Sequence, residues 1–506
     1  MTVRVRFAPS PTGLLHLGGL RTALYNFLFA RKHGGRFILR IEDTDTARTV
    51  PGSASLLLRM LQDAGIGPDE GYGVGGDHGP YVQSERKELY AAAAARLEQA
   101  GLAYRCSYDD AEVERYRKEE EARVGSFVFR RRAAEDLLGG AGRRGGGVIR
   151  LDAERALQQL GEAEVEDLVR GRVVIPNDKV DDAILVKSDG LPTYHLASVV
   201  DDQNMGISHV IRGEEWLSSA PKHILLHRAL GHPPPPFAHL PLLLNPDGGK
   251  LSKRHEHGTV ESFVRQGFEM KAILSYTASM GFTPSKEIMT VKELIEEFDL
   301  SKVHKHGTRV DIGKFSSIQT SVLRGMCQDS EGRRGLWLEL GPRLRELVKV
   351  SGQPILADRV EDDKYFEEVV KTVVERVERR SEILSQFLYF WTDPDPEALA
   401  SHTAAEAREQ VIAHLENFEQ ELQKQAERRE GGGLDVLIEE ARKAAKAAGA
   451  KAMSKGAMMK FVRLALTGKD GGPSLTDIFA LLGPPVSLRR VSSSLKFLRA
   501  PAAPSS

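Results

Sequence analysis

The sequence has little of what several classes of protein require. Its 506 residues include only two cysteines, Cys106 and Cys327, too few for a disulfide framework or a four-thiolate zinc site. No apolar run approaches the roughly 18 residues that span a bilayer, so no transmembrane helix is expected. Net charge is also almost absent, because 70 Lys and Arg face 71 Asp and Glu. A nucleic-acid partner would therefore need a locally basic surface.

What is present suits a globular protein with several cores. Apolar residues make up 41% and charged residues 28% of the chain, and its length corresponds to about three domains. The first residues run directly into a strand pattern, without an apolar signal core or an Arg/Ser-rich leader. We expect either an unexported protein or one whose transit peptide is missing from this sequence.

The N-terminal half alternates between strand and helix patterns. Val3, Val5 and Phe7 alternate with arginines and predict a strand over 3–7, and leucines four apart predict a helix over 18–31. A buried strand is expected at 37–41, followed by a helix that begins at Leu56. This order predicts an α/β half with a Rossmann-like, doubly wound parallel sheet.

The rest of the chain changes character twice. Residues 84–100 are predicted to be helical with Ser84 as N-cap, and the polar, glycine-rich segment 105–150 is interpreted as an insertion or a flexible loop. Strand patterns return at 173–175 and 183–186, but after about residue 270 they largely vanish. The C-terminal half is therefore predicted to be all-α.

The first motif with chemical content lies between the first strand and the first helix, at residues 7–19. Ligands of parallel sheets bind at this edge, and the N-terminus of a helix favours an anion. Gly18 and Gly19 allow close approach of the backbone to a ligand, and His16 can donate a hydrogen bond to a phosphate. The alternative is a structural histidine at the start of a helix.

The second motif is a basic pentad, Lys250, Leu251, Ser252, Lys253 and Arg254, which follows a glycine-containing turn. Three cations on a tethered loop suit a triphosphate, because a lysine can follow charge that develops on the leaving pyrophosphate. Taken alone, such a pentad is usually a solvated basic patch.

Together the two motifs resemble the HIGH and KMSKS signatures of class I aminoacyl-tRNA synthetases, although Gly19 stands where the second histidine of HIGH is found. The resemblance to the glutamyl-tRNA synthetases covers most of the chain and rests on segments 6–13, 40–45, 187–197 and 458–468. The helical C-terminal half is similar to the bacterial and organellar type. Segments 195–202 and 205–210 are most similar to the mitochondrial branch.

The resemblance implies a domain layout. Residues 1–100 and 189–244 would form the two parts of the catalytic domain, and 101–188 an inserted domain that binds the acceptor end of tRNA. Residues 245–325 would contact the stem and carry the basic pentad, and 326–506 would bind the anticodon.

It also implies a reaction in two steps. L-glutamate would be activated by ATP with Mg²⁺ and then transferred to the 3′ end of tRNA-Glu. Whether tRNA-Gln is a second acceptor stays open. We expect no zinc, since only Cys106 lies in the insertion, and no other metal site. We also expect no membrane partner, a monomer, and a place in the mitochondrial matrix, with the cytoplasm of a bacterium as the alternative.

Site residues follow from the same resemblance. Those expected to bind glutamate are Arg6, Ala8, Ser10, Glu42, Tyr194 and Arg212. Those expected to bind ATP are His16, Gly18, Gly19, Glu215, Trp216, Lys250, Leu251, Ser252, Lys253 and Arg254, of which His16, Lys250 and Lys253 are the catalytic candidates. The two arginines suit bidentate binding of carboxylates, and Glu42 suits the ammonium group. For Arg212 the alternative is an ion pair with Glu214 or Glu215.

The RNA-binding candidates are Arg130 and Arg131 in the insertion and Arg379 and Arg380 in the helical half. The aromatic trio of residues 389–391 is predicted either to stack on bases or to belong to a helix core. Two other functions stay open: a shortened paralogue that glutamylates a modified tRNA base, and a non-catalytic RNA-binding relative.

Overall fold

A computed structural model of the protein describes residues 2–108, 110–138, 147–245, 247–249, 259–353, 355–395, 397–404, 407–428 and 433–500. The basic pentad at 250–254 lies outside the described residues, as does most of the glycine-rich stretch 138–147. The chain divides into two compact units, Met1–Ile318 and Gln319–Ser506.

The first unit alternates strands and helices. Its elements are β1 (Arg4–Phe7), α1 (Leu17–Lys32), β2 (Arg36–Leu39), α2 (Ser53–Asp63), β3 (Glu70–Gly71), α3 (Lys87–Gln99), β4 (Ala103–Cys106), α4 (Asp110–Val124), α5 (Arg131–Leu138), β5 (Val148–Leu151), α6 (Ala153–Leu160), β6 (Val165–Asp167), β7 (Gly171–Val173), β8 (Ile184–Val186), α7 (Tyr194–Asn204), β9 (Val210–Gly213), α8 (Ala220–Ala229), β10 (Phe237–Leu240), β11 (Leu243–Leu244), α9 (Val260–Arg265), α10 (Met270–Ser279), α11 (Val291–Glu297), β12 (Thr308–Arg309) and α12 (Ile312–Met326).

The second unit is helical throughout the residues that are described. After the end of α12 it contains α13 (Ser330–Val350), α14 (Ala357–Val360), α15 (Asp363–Val373), α16 (Arg380–Phe387), α17 (Glu397–Ser401), α18 (Arg408–Arg428), α19 (Leu434–Ala447), α20 (Lys455–Thr467) and α21 (Leu475–Arg499). This confirms the predicted all-α C-terminal half.

Two sheets of the first unit confirm the predicted parallel arrangement, whereas β4, β5 and β8 form an antiparallel sheet. Strands β1, β2 and β3 form one parallel sheet, in which Val5 is in register with Phe37. A second sheet has the order β7-β6-β10-β9, with only the edge strand β7 antiparallel. The two sheets meet where the backbone N–H of Ser208 donates to the carbonyl of Arg4 at 2.9 Å. The carboxyl ends of β1 and β9 also lie near each other, since Phe7 and Gly213 line the same cleft.

Helix α1 packs behind this junction as its sequence predicts. Leu20, Leu24 and Leu28, spaced four apart, are all buried. The helix begins at Leu17, with His16 as its N-cap. The loop between β1 and α1 thus ends with a side chain at the N-terminus of α1, where the helix dipole is positive.

One local prediction was wrong, and so was one of the two alternatives given for a second segment. Ser84 is not an N-cap, since α3 begins at Lys87 and the Ser84 hydroxyl instead donates to Oδ2 of Asp43 at 2.6 Å. The segment 105–150 is not simply a loop, because it holds α4, α5 and the antiparallel strand β5. Helix α4 is so polar that it shows little apolar periodicity, and it is anchored mainly by the ring of Tyr116.

In the second unit, the aromatic trio belongs to the core. Tyr389, Phe390 and Trp391 are all buried, and the Trp391 ring lies 5.9 Å from the ring of Phe366. The alternative of a helix core is therefore confirmed and that of stacking on bases is wrong. No helix within the described ranges has the length and apolarity to cross a membrane.

Replacement of Phe390 by Ala tests this core. Removal of a fully buried ring leaves a cavity, so the free energy of unfolding should fall by about 3–5 kcal/mol. The control is Leu338→Ala, because Leu338 is 70% exposed and its loss should change stability by only about 0.5 kcal/mol. Urea unfolding curves measure both, and equal losses would contradict the assignment.

Candidate active site

A cleft of about 1000 Å³ opens at the carboxyl ends of β1 and β9, beside the N-terminus of α1. Every predicted glutamate and ATP residue that the structure describes lines this cleft: Arg6, Ala8, Ser10, His16, Gly18, Gly19, Glu42, Tyr194, Arg212, Glu215 and Trp216. The remaining predicted ATP residues, 250–254, lie outside the described part of the chain.

His16 is held by the helix that it caps. Its Nδ1 accepts a hydrogen bond from the backbone N–H of Gly19 at 3.0 Å, so a neutral ring carries its proton on Nε2. A Cβ atom at Gly18 would lie 3.1 Å from Cε1 of His16. The glycine thus leaves room for the ring, whose proton-bearing nitrogen can serve as a hydrogen-bond donor.

Arg6 is already bound to a carboxylate. Its Nε and Nη2 atoms donate to the two oxygens of Asp202, at 3.0 and 3.1 Å, and Arg40 donates to Asp202 at 2.7 Å. Burial alone would raise the pKa of Asp202, but the two guanidinium groups hold it well below its usual range. The Nε edge of Arg6 is thus occupied, and a ligand carboxylate would meet its Nη1 end.

Glu42 stands beside this ion pair. Its Oε1 accepts a hydrogen bond from Nη2 of Arg40 at 3.0 Å, and its backbone N–H donates to the carbonyl of Pro9. Burial raises the pKa of Glu42 above its usual value, against the opposing effect of Arg40 and Arg6. A ligand ammonium group would offset the cost of this buried negative charge.

Arg212 on β9 differs from Arg6, since its partners within the described structure are neutral. Its Nε donates to Nε2 of His239 at 3.0 Å, and its Nη2 donates to the carbonyl of Trp216 at 3.1 Å. Its Nη1 lies 2.9 Å from Nδ1 of His223 and 3.2 Å from the hydroxyl of Tyr194. The predicted alternative of a pair with Glu214 or Glu215 was wrong.

Bidentate binding by Arg212, as predicted, also needs correction. Nη2 carries two N–H groups, of which Trp216 takes one, and both groups of Nη1 are engaged. One N–H of Nη2 is left for a ligand. The adjacent Tyr194 hydroxyl accepts from Arg212 and so has its own proton to donate, while the Tyr194 ring packs on Trp216 at a centroid distance of 3.9 Å.

The predicted RNA-binding arginines do not line this cleft. Arg130 donates to the carbonyl of Asn177 at 2.8 Å, and Arg131 pairs with Glu135 at 3.0 Å. In the second unit, Arg379 lies 3.9 Å from a carboxylate oxygen of Glu382, and Arg380 pairs with Glu339. These contacts are to the protein's own groups, and the RNA-binding role of the four arginines stays a prediction.

Five residues that hold the site in place were not predicted as site residues from the sequence: Arg40, Asp167, Asp202, His223 and His239. One signal was available in the pair of adjacent aspartates, Asp201 and Asp202, which the structure places near the end of α7. Another was a lone histidine in the otherwise apolar strand β10. Neither signal identifies its partner, because Asp167 and His239 are far apart in sequence. Among the described residues, no cluster of three or more His, Cys, Asp or Glu side chains could hold a metal ion.

Replacement of Asp202 by Asn tests the buried ion pairs. Loss of the carboxylate leaves Arg6 without a direct counter-charge and Arg40 with only Glu42 and Asp201, so stability at pH 7 should fall by about 3–5 kcal/mol. Because the pKa of Asp202 is depressed when folded, its contribution is present above its unfolded pKa near 3.8 and is lost as pH falls further. The difference between variant and parent should therefore shrink below that pH.

Denaturant unfolding at several pH values measures this difference. Asp189→Asn is the control, because Asp189 pairs with Lys187 at the surface and its loss should cost about 1 kcal/mol at most. A difference between Asp202→Asn and parent that stays constant down to pH 2 would contradict the depressed pKa.

The comparisons with known proteins agree with this geometry. Residues 2–317 match the family model described as tRNA synthetases class I (E and Q), catalytic domain, and residues 339–495 match an anticodon binding domain. The glutamate–tRNA ligase of Chloroherpeton thalassium is 39% identical and that of Moorella thermoacetica 38% identical, each over at least 98% of both chains. These relatives are bacterial and give the mitochondrial expectation no support.

Solved structures extend the match to three dimensions. A glutamate tRNA ligase of Elizabethkingia meningosepticum, in complex with its amino acid, superposes with a TM-score of 0.77 at 31% identity, covering 99% of this chain and all of its own. The glutamate–tRNA synthetase of Elizabethkingia anophelis gives 0.75 at 32% identity, covering 98% of this chain and all of its own. The chain therefore belongs to the class I tRNA synthetases of the glutamate and glutamine group, within the glutamate–tRNA ligase family.

Proposed function

We propose that this enzyme joins L-glutamate to the 3′ end of tRNA-Glu, with ATP and through a glutamyl-adenylate. The observation that carries the proposal is the state of Arg212. This buried guanidinium faces the cleft with an N–H to spare and is surrounded by neutral partners. A substrate with a carboxylate would supply the missing negative charge.

Glutamate has a group for each charged feature of the cleft. One carboxylate would accept hydrogen bonds from Nη2 of Arg212 and from the hydroxyl of Tyr194. The other would meet the Nη1 end of Arg6, and the ammonium group would lie against Glu42. Ala8 and Ser10, in the loop after β1, line the cleft where the substrate would bind.

Activation needs positioned charge rather than a covalent protein intermediate. A carboxylate oxygen of glutamate would attack the α-phosphorus of ATP, forming the mixed anhydride as the bond to pyrophosphate breaks. Nε2–H of His16 would donate to a phosphate oxygen, with Gly18 and Gly19 beside it. Mg²⁺ would arrive with the ATP phosphates. The tRNA 2′-hydroxyl would then attack the anhydride carbonyl and release AMP.

The basic pentad would complete this phosphate site. Its lysines, Lys250 and Lys253, would neutralise charge on the pyrophosphate as it leaves. Leu251, Ser252 and Arg254 would line the nucleotide, opposite Glu215 and Trp216. These roles rest on the resemblance of the pentad to the KMSKS signature.

For RNA, we propose that the insertion 101–188 guides the acceptor end and that 245–325 contacts the stem. The second unit would bind the anticodon, as the family match over residues 339–495 supports. The shortened paralogue lacks such a half and is disfavoured. Arg130, Arg131, Arg379 and Arg380 remain candidates for phosphate contacts. We further propose a monomer in the cytoplasm of a bacterium, in keeping with the bacterial relatives.

Aminoacylation with labelled amino acids tests the function. Purified enzyme should charge tRNA-Glu with glutamate, and glutamine should be a poorer substrate by about 30- to 4000-fold, because its amide leaves a buried arginine without a charged partner at a cost of about 2–5 kcal/mol. Failure to charge any tRNA with glutamate would contradict the proposal. The same assay with tRNA-Gln decides whether the second acceptor is used.

Arg212→Gln should lower kcat/KM for glutamate by a similar factor of about 30- to 4000-fold, since it removes the same charge pairing. Arg172→Gln is the matched control, because Arg172 pairs with Glu164 at the surface of β7, away from the cleft. An Arg212 variant that charges tRNA as well as the control does would show that the guanidinium binds no substrate group.

Lys253→Ala tests the role given to the basic pentad. It should lower kcat by about 100-fold or more, the range seen when one donor to developing charge is removed, while KM for glutamate changes little. Lys271→Ala, at an exposed position of α10, provides a matched control. A proportional loss of glutamate affinity would instead assign Lys253 to amino-acid binding.

A further inference from the structure

We infer that Asp167 and His239 form a positioning pair that orients Arg212 while leaving its positive charge available to the substrate carboxylate. Neither residue lines the cleft. Both side chains are completely buried, behind Arg212 as seen from the cleft. The inference rests on the proposed function, since it gives these residues a part in the binding of glutamate.

The hydrogen bonds of Asp167 fix which nitrogen of His239 carries the proton. The Asp167 carboxylate accepts backbone N–H groups from Val169 at 3.0 Å, from Arg170 at 2.8 Å and from His239 at 3.1 Å. Its Oδ2 also lies 2.6 Å from Nδ1 of His239. A carboxylate with this many donors is ionised, and the attraction of these groups holds the pKa of Asp167 below its usual range despite burial. Nδ1 of His239 is therefore the protonated nitrogen.

The opposite nitrogen of the ring must then be an acceptor. Nε2 of His239 lies 3.0 Å from Nε of Arg212, and an arginine can only donate. Burial lowers the pKa of His239, which keeps the ring neutral with a lone pair on Nε2. Asp167, His239 and Arg212 thus form a chain in which each donor has one acceptor. The orientation of the guanidinium is set from its Nε edge.

A second imidazole supports the same orientation. Nδ1 of His223 must accept from Nη1 of Arg212 at 2.9 Å, so its proton lies on Nε2, which is 3.1 Å from Nδ1 of His195. Burial and the charge of Arg212 hold the pKa of His223 well below its usual range. Both rings therefore hold Arg212 as lone-pair acceptors, without a charge of their own.

The contrast with Arg6 shows how the His239 ring affects the charge of Arg212. Arg6 is bound directly by the carboxylate of Asp202, whereas a neutral ring separates Arg212 from the carboxylate of Asp167. Direct pairing would reduce the attraction of the guanidinium for a second carboxylate. The intervening neutral ring holds Arg212 in place and keeps the Asp167 carboxylate out of direct contact with it, so more of the positive charge is left to attract a substrate carboxylate than in Arg6.

Three variants of the full-length enzyme test this inference by aminoacylation at saturating tRNA-Glu. His239→Leu removes the acceptor, and His239→Gln replaces it with an amide oxygen. In Asp167→Asn the amide oxygen would serve the backbone N–H groups, so its NH2 would face Nδ1 of His239. The ring would then carry its proton on Nε2, where it would oppose the donor Nε–H of Arg212.

We expect His239→Leu and Asp167→Asn to raise KM for glutamate about 10- to 100-fold, the effect of losing a hydrogen bond to a charged group, while KM for ATP changes less than about twofold. His239→Gln should recover most of the affinity for glutamate. A merely structural role would affect both substrates alike and would not be rescued by the amide.

The outcomes separate this inference from the proposed function. If the parent enzyme charges no glutamate, the proposed function fails. If the parent is active but a folded His239→Leu or Asp167→Asn variant keeps its KM for glutamate, or if both KM values rise together, the positioning role is overturned. Thermal unfolding identifies folded variants. If none of the three folds, the pair has a structural role and the inference is likewise overturned.

Discussion

The site depends on how the protein balances charges that it buries. Three arginines, Arg6, Arg40 and Arg86, lie against three carboxylates, Glu42, Asp201 and Asp202, with almost no exposure to solvent. The charges come from β1, from the segments after β2 and before α3, and from the end of α7. Because a buried ion is tolerated only beside a partner, these separate segments are held in one arrangement.

Arg212 follows a different rule, and the difference supports the assignment of function. The three arginines and three carboxylates around Arg6 have no net charge as a group, so this group can be stable before any ligand binds. Arg212 is held by two imidazoles, a phenol and a carbonyl, none of which cancels its charge. Arg6 thus contributes to the framework of the cleft. Arg212 keeps a positive charge that no carboxylate among the described residues contacts directly, and the carboxylate of an acidic substrate can pair with it.

The sequence predicted well those features that depend on neighbours along the chain. The leucine spacing of α1, the strand before it and the glycines of the first motif all have local causes, and each lies where it was expected. Helix α4 was missed because its face is almost wholly polar and its main apolar anchor is the ring of Tyr116, with Val113 beside it. The partners of Arg6 and Arg212 were missed for another reason, since Asp202 and His239 approach them only when the sheets have formed. The motifs named residues that line one cleft but could not show which of their atoms were already engaged.

The cap of α1 has a consequence for how this site can change over evolution. His16 gives one nitrogen to its own helix through Gly19, and the role proposed for it toward phosphate would use the other. In the proposed site, the start of the helix and the contact with phosphate would therefore be coupled through a single ring, and neither could be altered alone. A replacement would have to accept on one side and donate on the other, as an asparagine amide can. Few side chains meet both demands, so this position has little freedom to vary even where the surrounding loop does.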